Sequence, residues 1–431
     1  MRNIKYFKDK RVTIVGLARS GLACANLLHG LGASVRVTDI NDNSQSRSYA
    51  SSLLSNDIPV ELGKHSEAFI KEADLVVISP GVPPDSQPVI WAKAFSLPAI
   101  SEIEVAGMLC PGQIIAVTGS NGKTTVTTLI GRALDACGKK AFVCGNIGNP
   151  FSGEVAKMRE GDFAVVEVSS FQLETIREFK PKIALIININ PNHLDRYNNM
   201  QEYLDAKKRI FMNQDKDDFL VLNAQDACLA GLEKETAAKV LFFSGENSLN
   251  PNQSAVLKVG KLLGLDRPTI LKVLSNFKGL EHRMEDVAEI NKVRFINDSK
   301  ATTADSAIWA INSISSPIVL IAGGRHKGID YRVIIEAARN KVKHVVLIGE
   351  AKERIAACLR GEFPVEMAAG LEEAVNKTYA LAKPGDSVLF SPMCSSFDMF
   401  GDYEERGRVF KKIVLELSKR NNPTESSINN G

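Results

Sequence analysis

The chain has 431 residues, 44% apolar and 24% charged, ordinary values for a globular protein that buries a core; at this length roughly three domains are expected. A net charge of +3 leaves no electrostatic footprint for nucleic acid or an anionic membrane surface. The seven cysteines are scattered, odd in number and without metal-ligand spacing, so they read as reduced residues of a cytoplasmic protein, several of them (Cys24, Cys144) in apolar core runs. There is no run of ~18 apolar residues to cross a membrane, and Arg19 interrupts the apolar stretch that a signal peptide would need.

Residues 11–15 read as a β-branched strand that enters Gly16-Leu-Ala-Arg-Ser-Gly21 and then a helix to Leu31; residues 32–38 form a second strand ending at Asp39. This is a βαβ nucleotide unit with an acid about where a ribose contact would lie. Its glycines fit G-x-x-x-x-G and not G-x-G-x-x-G. The pattern is compatible with a nicotinamide dinucleotide, another nucleotide, or close helix–strand packing alone. Arg19 at the loop mouth points to a phosphate or a uracil-like ring. A further strand at 75–78 ends in Ser79-Pro80-Gly81-Val82-Pro83, a turn at a strand's carboxyl end, where open parallel sheets take ligands.

The middle of the chain holds the strongest motif. Ile114-Ile-Ala-Val117 leads into Thr118-Gly119-Ser120-Asn121-Gly122-Lys123-Thr124-Thr125, followed by Val126, Leu129, Ile130, Ala133 and Leu134 at helical spacing. Strand, glycine loop and helix in this order make a phosphate loop. Lys123 can reach the β- and γ-phosphates and the Thr124 hydroxyl can ligate Mg²⁺. Val117 stands where the general pattern has its first glycine. A strand at 141–144 then precedes Gly145-Asn146-Ile147-Gly148, a turn suited to close approach of a ligand. The apolar strand 163–168 carries Glu167, costly there unless paired or metal-bound, and placed like the metal-holding acid of phosphate-loop enzymes. A strand at 183–187 ends in Asn188, and the next loop carries His193. Alone, His193 reads as a structural histidine; beside Lys123 and Glu167 it reads as a second Mg²⁺ or phosphate contact. Lys207-Lys208-Arg209 on a helix read, from chemistry alone, as a solvated face. Strands at 220–223 and 240–243 precede a helix from near Ser254 to Leu263.

In the last third four strands (293–296, 318–321, 345–348, 387–390) each end in a polar or glycine-rich turn and alternate with helices. That is a further doubly wound α/β unit. The tail from 421 onward is polar and is expected to be disordered.

Six segments together resemble the ATP-dependent Mur ligases over nearly the whole chain: T-G-S-N-G-K-T-T (118–125), E-V-S-S-F-Q-L (167–173), N-H-L-D-R-Y (192–197), G-L-E-H-R-M-E (279–285), I-N-D-S-K-A-T (296–302) and S-P-M-C-S-S-F-D (391–398). The second and fifth point to the D-glutamate-adding branch. The resemblance implies an α/β protein of three domains: a Rossmann-like domain for a uridine-linked substrate (1–103), a central ATP-binding phosphate-loop domain (104–279) and a Rossmann-like amino-acid domain (280–431). It implies joining of D-glutamate to UDP-N-acetylmuramoyl-L-alanine through an acyl phosphate, in peptidoglycan precursor synthesis, by a cytoplasmic monomer. The loop residues Gly119 to Thr125 would hold ATP, with Arg283 on its phosphates and Asp298 on its ribose. Two Mg²⁺ ions would be held by Thr124, Glu167, His193 and Lys207, the last as a CO₂-derived carbamate; Lys123, Glu167, His193 and Lys207 are the implied catalytic set. Arg19, Ser20, Asp39 and Gly81 would hold the uridine diphosphate end, Asn146 the muramoyl part, and Thr302, Lys327, Ser396 and Phe397 the D-glutamate. The chain departs from the family's Asn-x-x-Asn pair at Leu249-Asn250-Pro251-Asn252, after a shortened segment, so the adenine contacts stay unassigned; Tyr403 stands where a Phe is expected. The neighbouring alternative is a sister ligase adding another amino acid to a related acceptor; a plain phosphate-loop ATPase and a nicotinamide oxidoreductase fit fewer of these segments.

Overall fold

A computed structural model describes residues 1–190, 196–245, 249–326 and 328–421. The chain divides into two compact units, the first ending at Phe277 and the second starting at Lys278. His193 and Lys327 lie outside the described residues, as does the tail beyond 421.

The first unit contains two sheets. One has β1 (Arg11–Val15), β2 (Ser34–Asp39), β3 (Val60–Leu62), β4 (Leu75–Ile78) and β5 (Ala99–Ser101), all parallel, in the order β3-β2-β1-β4-β5. The other has β6 (Gln113–Thr118), β7 (Ala141–Gly145), β8 (Phe163–Glu167), β9 (Ile183–Ile186), β10 (Phe219–Asn223) and β11 (Lys239–Phe243), in the order β11-β10-β9-β6-β8-β7, again all parallel. Strands covered on both faces need continuous apolar runs, and β6 shows how the run is used. Ile114 and Ala116 join a core that reaches across to Leu28, Ile103 and Phe151, while Ile115 and Val117 face Val126, Leu129 and Ile130 of the Lys123–Ala136 helix. Because the first core is shared by both sheets, their loops are held in one frame. The helix Glu102–Leu109 joins β5 to β6 and is buried along most of its length, so position 103 falls inside a packed helix.

The second unit has one sheet: β12 (Glu285–Ile290), β13 (Val293–Asn297), β14 (Ile318–Gly323), β15 (Val342–Ile348), β16 (Val365–Met367) and β17 (Ser387–Phe390), in the order β12-β13-β17-β14-β15-β16. The pairs are parallel except β12 with β13. Apolar cores lie on both faces. The four expected strands are present, and two edge strands, β12 and β16, add to them. β12 is charged, with a register shift between Asp286 and Ala288, features that discourage pairing with another chain at a sheet edge.

Candidate active site

Open parallel sheets bind ligands where neighbouring crossovers leave in opposite directions. In the first sheet that point is between β1 and β4. The loops after β1, β2 and β4 and the turn after β7 enclose a cavity of about 650 Å³ lined by Arg19, Ser20, Asp39, Gly81 and Asn146 among others. Residues from four separate segments of the chain are thereby brought together. Asp39 is buried and bonds backbone: Leu17 N donates to Oδ2 (2.5 Å) and Asn41 N to Oδ1 (2.7 Å). It ties two loops of the cavity wall together. Ser79 Oγ donates to Gly16 O (2.9 Å), closing the wall from the third loop. His65, which the sequence did not flag, also lines the cavity; its Nδ1 lies 2.8 Å from Thr38 Oγ1.

The phosphate loop leaves β6 at the centre of the second sheet. Gly119 (φ +151°) and Gly122 (φ +82°) take conformations that side chains disfavour. A Cβ on Gly119 would meet Ile187 Cγ1 at 2.4 Å, and one on Gly122 would meet the Asn252 amide at 2.8 Å. Asn252 therefore packs against the loop, while Asn250 caps the Pro251–Leu262 helix by accepting from Gln253 N (3.0 Å). The helix starts three residues before the expected Ser254 because that cap precedes Pro251, a residue suited to a first helical position. Asn188, at the end of β9, clamps the loop from the other side. Its Oδ1 accepts from Asn121 N (2.8 Å), its Nδ2 donates to Asn121 O (2.9 Å), and its carbonyl accepts from Ser120 N (2.9 Å). Ser120 Oγ lies 3.2 Å from the Tyr203 hydroxyl. The sequence signal for Asn188 was a polar residue closing an apolar strand; Tyr203 gave none beyond helical spacing.

Three charged groups meet beside this loop. Lys123 Nζ donates to Gly119 O and Ser120 O, both 2.9 Å. Lys207 Nζ donates to the same Gly119 O (2.9 Å) and to Thr118 Oγ1 (3.3 Å), and sits 4.6 Å from the Tyr203 ring centre. Lys207 is 1% exposed, so the basic run is not a solvated face. Its pKa is driven well down, by burial first and then by the Lys123 charge, with Glu167 opposing. The adjacent cations Lys208 and Arg209 are not among the causes. Lys208 pairs with Glu235 and Asp205, and Arg209 donates to Leu173 O and Ile176 O, both 2.7 Å. Glu167 is 2% exposed; Asn146 Nδ2 donates to its Oε1 (3.0 Å), and its buried Oε2 has no hydrogen-bond partner. A buried anionic oxygen left unbonded is costly, and it fits a cation. Thr124 is buried on the first turn of the adjoining helix. Among the described residues, which do not include His193, no group of three His, Cys, Asp or Glu is placed to hold a metal ion.

In the second unit the loops after β13 and β17 are bound together. Met393 N donates to Ala301 O (2.9 Å), and Ser391 Oγ donates to Asp298 Oδ2 (3.0 Å). Asp298 is 4% exposed, and burial raises its carboxyl to a pKa of about 7. Its Oδ1 accepts from Met284 N (3.2 Å). Arg283 stands between His282 (φ +63°) and Met284 (φ +46°), two residues in the left-handed region. Ser396 is buried, Phe397 is exposed and Thr302 is half-buried. Arg406, fully buried, ties Ser299 O (2.8 Å) to Cys394 O (3.1 Å) and so braces both loops; the sequence did not single it out.

Three family profiles match in chain order: Mur ligase MurD-like N-terminal domain over 10–101, Mur ligase middle domain over 117–261, and Mur ligase glutamate ligase domain over 282–394. A relative from Geotalea daltonii, named UDP-N-acetylmuramoylalanine–D-glutamate ligase, is 42% identical across 95% of this chain and 98% of its own length. The chain belongs to the Mur ligase family. A relative of the same name from Thermoanaerobacter pseudethanolicus is 41% identical across 96% of this Mur ligase and 99% of its own length. Among solved structures, UDP-N-acetylmuramate–alanine ligase MurC from Thermotoga maritima matches with a TM-score of 0.57 at 20% identity, covering 95% of this chain and 100% of that one. MurF ligase from Thermotoga maritima in complex with ADP matches with a TM-score of 0.55 at 15% identity, covering 97% and 98%. At such identities these two report on fold alone. No helix among the described residues of this Mur ligase is long and apolar enough to cross a membrane.

Proposed function

We propose that this chain is an ATP-dependent ligase that joins the amine of D-glutamate to the carboxylate of UDP-N-acetylmuramoyl-L-alanine, releasing ADP and phosphate, in peptidoglycan precursor synthesis. The observation that carries the chemistry is Lys207, a buried amine on a phosphate-loop carbonyl, in the field of a glutamate whose second oxygen has no partner. The substrates rest on the near-full-length likeness to D-glutamate ligases. A carboxylate is a poor electrophile; ATP supplies the phosphoryl group that makes it an acyl phosphate, and two Mg²⁺ supply the positive charge that lets two anions meet.

The chain's own residues position and polarise. Lys123 and the loop from Gly119 through Thr125 bind the phosphates. The Thr124 hydroxyl and the Glu167 carboxylate would hold one metal. Lys207, whose pKa is lowered by burial and by the Lys123 charge, would add CO₂ at Nζ with loss of a proton to give an anionic carbamate; with His193 it would hold the second. Arg283 serves the ATP phosphates and Asp298 the ribose. Arg19, Ser20, Asp39 and Gly81 receive the uridine diphosphate end and Asn146 the muramoyl part. Thr302, Lys327, Ser396 and Phe397 receive D-glutamate. Domains at 1–103, 104–279 and 280–431, a monomeric state and a cytoplasmic location belong to the same proposal.

The test is phosphate release from ATP with UDP-N-acetylmuramoyl-L-alanine and Mg²⁺, comparing D-glutamate, L-glutamate, L-alanine and a diamino acid. Release that depends on D-glutamate alone is expected. Release with another amino acid moves the specificity to a sister ligase, and release without any amino acid removes the ligase assignment.

A further inference from the structure

We infer that Glu102 is a positioning residue for this reaction: its carboxylate holds the 145–150 turn, and through that turn sets Asn146 and Glu167 in register with the uridine-side cavity. The inference rests on the ligase reading above. The turn is anchored at two ends. At the front, Asn146 N donates to Glu167 O (2.8 Å) and its side chain donates to Glu167 Oε1 (3.0 Å). Gly145 (φ +102°) is forced by the same approach, since a Cβ there would lie 2.3 Å from Glu167 O. At the back, Pro150 caps the short helix Phe151–Val155, and Ser152 N on its first turn donates to Glu102 Oε1 (2.6 Å).

That short helix touches the whole frame of the cavity. Phe151 and Val155 sit in the core shared by the two sheets. A Cβ on Gly153 would lie 3.6 Å from Ala23, on the Arg19–Gly30 helix that opens with the cavity's arginine. Glu102 therefore links β5 of the first sheet to a turn that reaches both the cavity and the candidate metal carboxylate.

The link is costly. Glu102 is 1% exposed, and its Oε2, together with Ser101 Oγ, has no hydrogen-bond partner. Burial raises its pKa, and its charge adds to the burial that pushes up the Cys24 and Cys144 thiols. An apolar residue would fill the space without that penalty. Glu104, two residues on, behaves differently. It accepts from Arg177 N, Glu178 N and Phe179 N at 3.0, 2.6 and 2.9 Å and fastens that loop to the helix. It serves as the internal control for a carboxylate that only stabilises.

The experiment is steady-state kinetics of the full chain with each substrate and Mg²⁺ varied in turn, for Glu102→Ala, Glu102→Gln and Glu104→Ala, alongside thermal unfolding. Glu102→Ala is expected to raise the KM for the uridine-linked substrate and the Mg²⁺ requirement about tenfold, the usual loss for a partner one step behind a ligand, with the KM for D-glutamate unchanged. Glu102→Gln keeps an oxygen for Ser152 N and is expected to restore most of that loss. Glu104→Ala is expected to lower the melting temperature without the selective KM change. Equal changes in every KM, or a Glu102→Ala variant that differs from wild type in Tm alone, overturn the inference. If Glu102→Ala does not fold, Glu102→Leu, which fills the same volume without an acceptor, carries the same comparison. A wild-type chain that turns over no uridine-linked substrate defeats the ligase reading instead. Fluorescence-detected binding of uridine diphosphate to wild type and variants then decides the positioning role, with equal affinities overturning it.

Discussion

An amine packed against a carbonyl oxygen and an aromatic ring, with water excluded, does not titrate like a surface lysine. Lys207→Ala is expected to lower the ligase rate by about a hundredfold, at the upper end of losses for metal-site partners. Added acetate, a carboxylate small enough to enter the gap, is expected to restore part of it; a variant at full rate in phosphate-release assays would remove Lys207 from the site. The role proposed for Lys207 comes only from the family's segments. Chemistry alone assigned 207–209 to a solvated face, because three adjacent cations do not reveal which of them points inward; Lys208 and Arg209 have partners of their own. Asp298 gives a pH prediction. Its folded pKa, about 7, lies above the ordinary 3.8, so the folded chain holds that proton more tightly than the unfolded chain. The stability it confers is complete below about 4 and is lost as pH rises through about 7. Urea unfolding of wild type should weaken over that interval, and Asp298→Asn should flatten the dependence.

Among elements, the strand-to-loop junction of β6 is the most sensitive. Gly122 is left-handed and in contact with Asn252, so Gly122→Ala should cost about 1 kcal/mol in strain alone and raise the KM for ATP. Relieving the contact with Asn252→Ala in the same chain should recover only part of that, because the φ remains; chemical denaturation of both variants separates the two contributions. The long apolar strands β1, β4, β6, β8, β9 and β14 were readable from composition because each is buried on both faces. The strands β3, β5 and β16 have only three residues each, too few for any period to register. β12 was missed for a different reason: its acids belong to an edge, where pairing with β13 and the Arg294–Asp286 ion pair substitute for an apolar pattern.

On the scale of the whole molecule, the proposed roles are divided. The uridine-side cavity, phosphate loop, Glu167 and Lys207 belong to the first unit; Arg283, Asp298 and the proposed amino-acid residues belong to the second. Chemistry that needs both sets calls for a junction that moves, proposed near 279, just inside the second unit. Small-angle scattering with an ATP analogue plus the uridine-linked substrate should differ from that of the chain alone, and identical curves would count against a moving junction. The same division explains what sequence reading could reach. Motifs report single loops, each complete within about eight residues, whereas the Asn188 clamp and the Arg406 brace join segments 67 and 107 residues apart, pairings that no single segment records.

Gly119 O is shared: both Lys123 and Lys207 donate to it. Two ammonium groups on one oxygen repel, and after burial this is part of what drives the pKa of Lys207 down. A polyphosphate settling on the loop draws the Lys123 charge toward itself and relaxes that repulsion, so Lys207 would become more basic and less ready to combine with CO₂. Order of arrival then matters. Bicarbonate supplied before nucleotide should prime the enzyme, and nucleotide supplied first should leave a lag in the progress curve that lengthens as dissolved carbon dioxide is depleted.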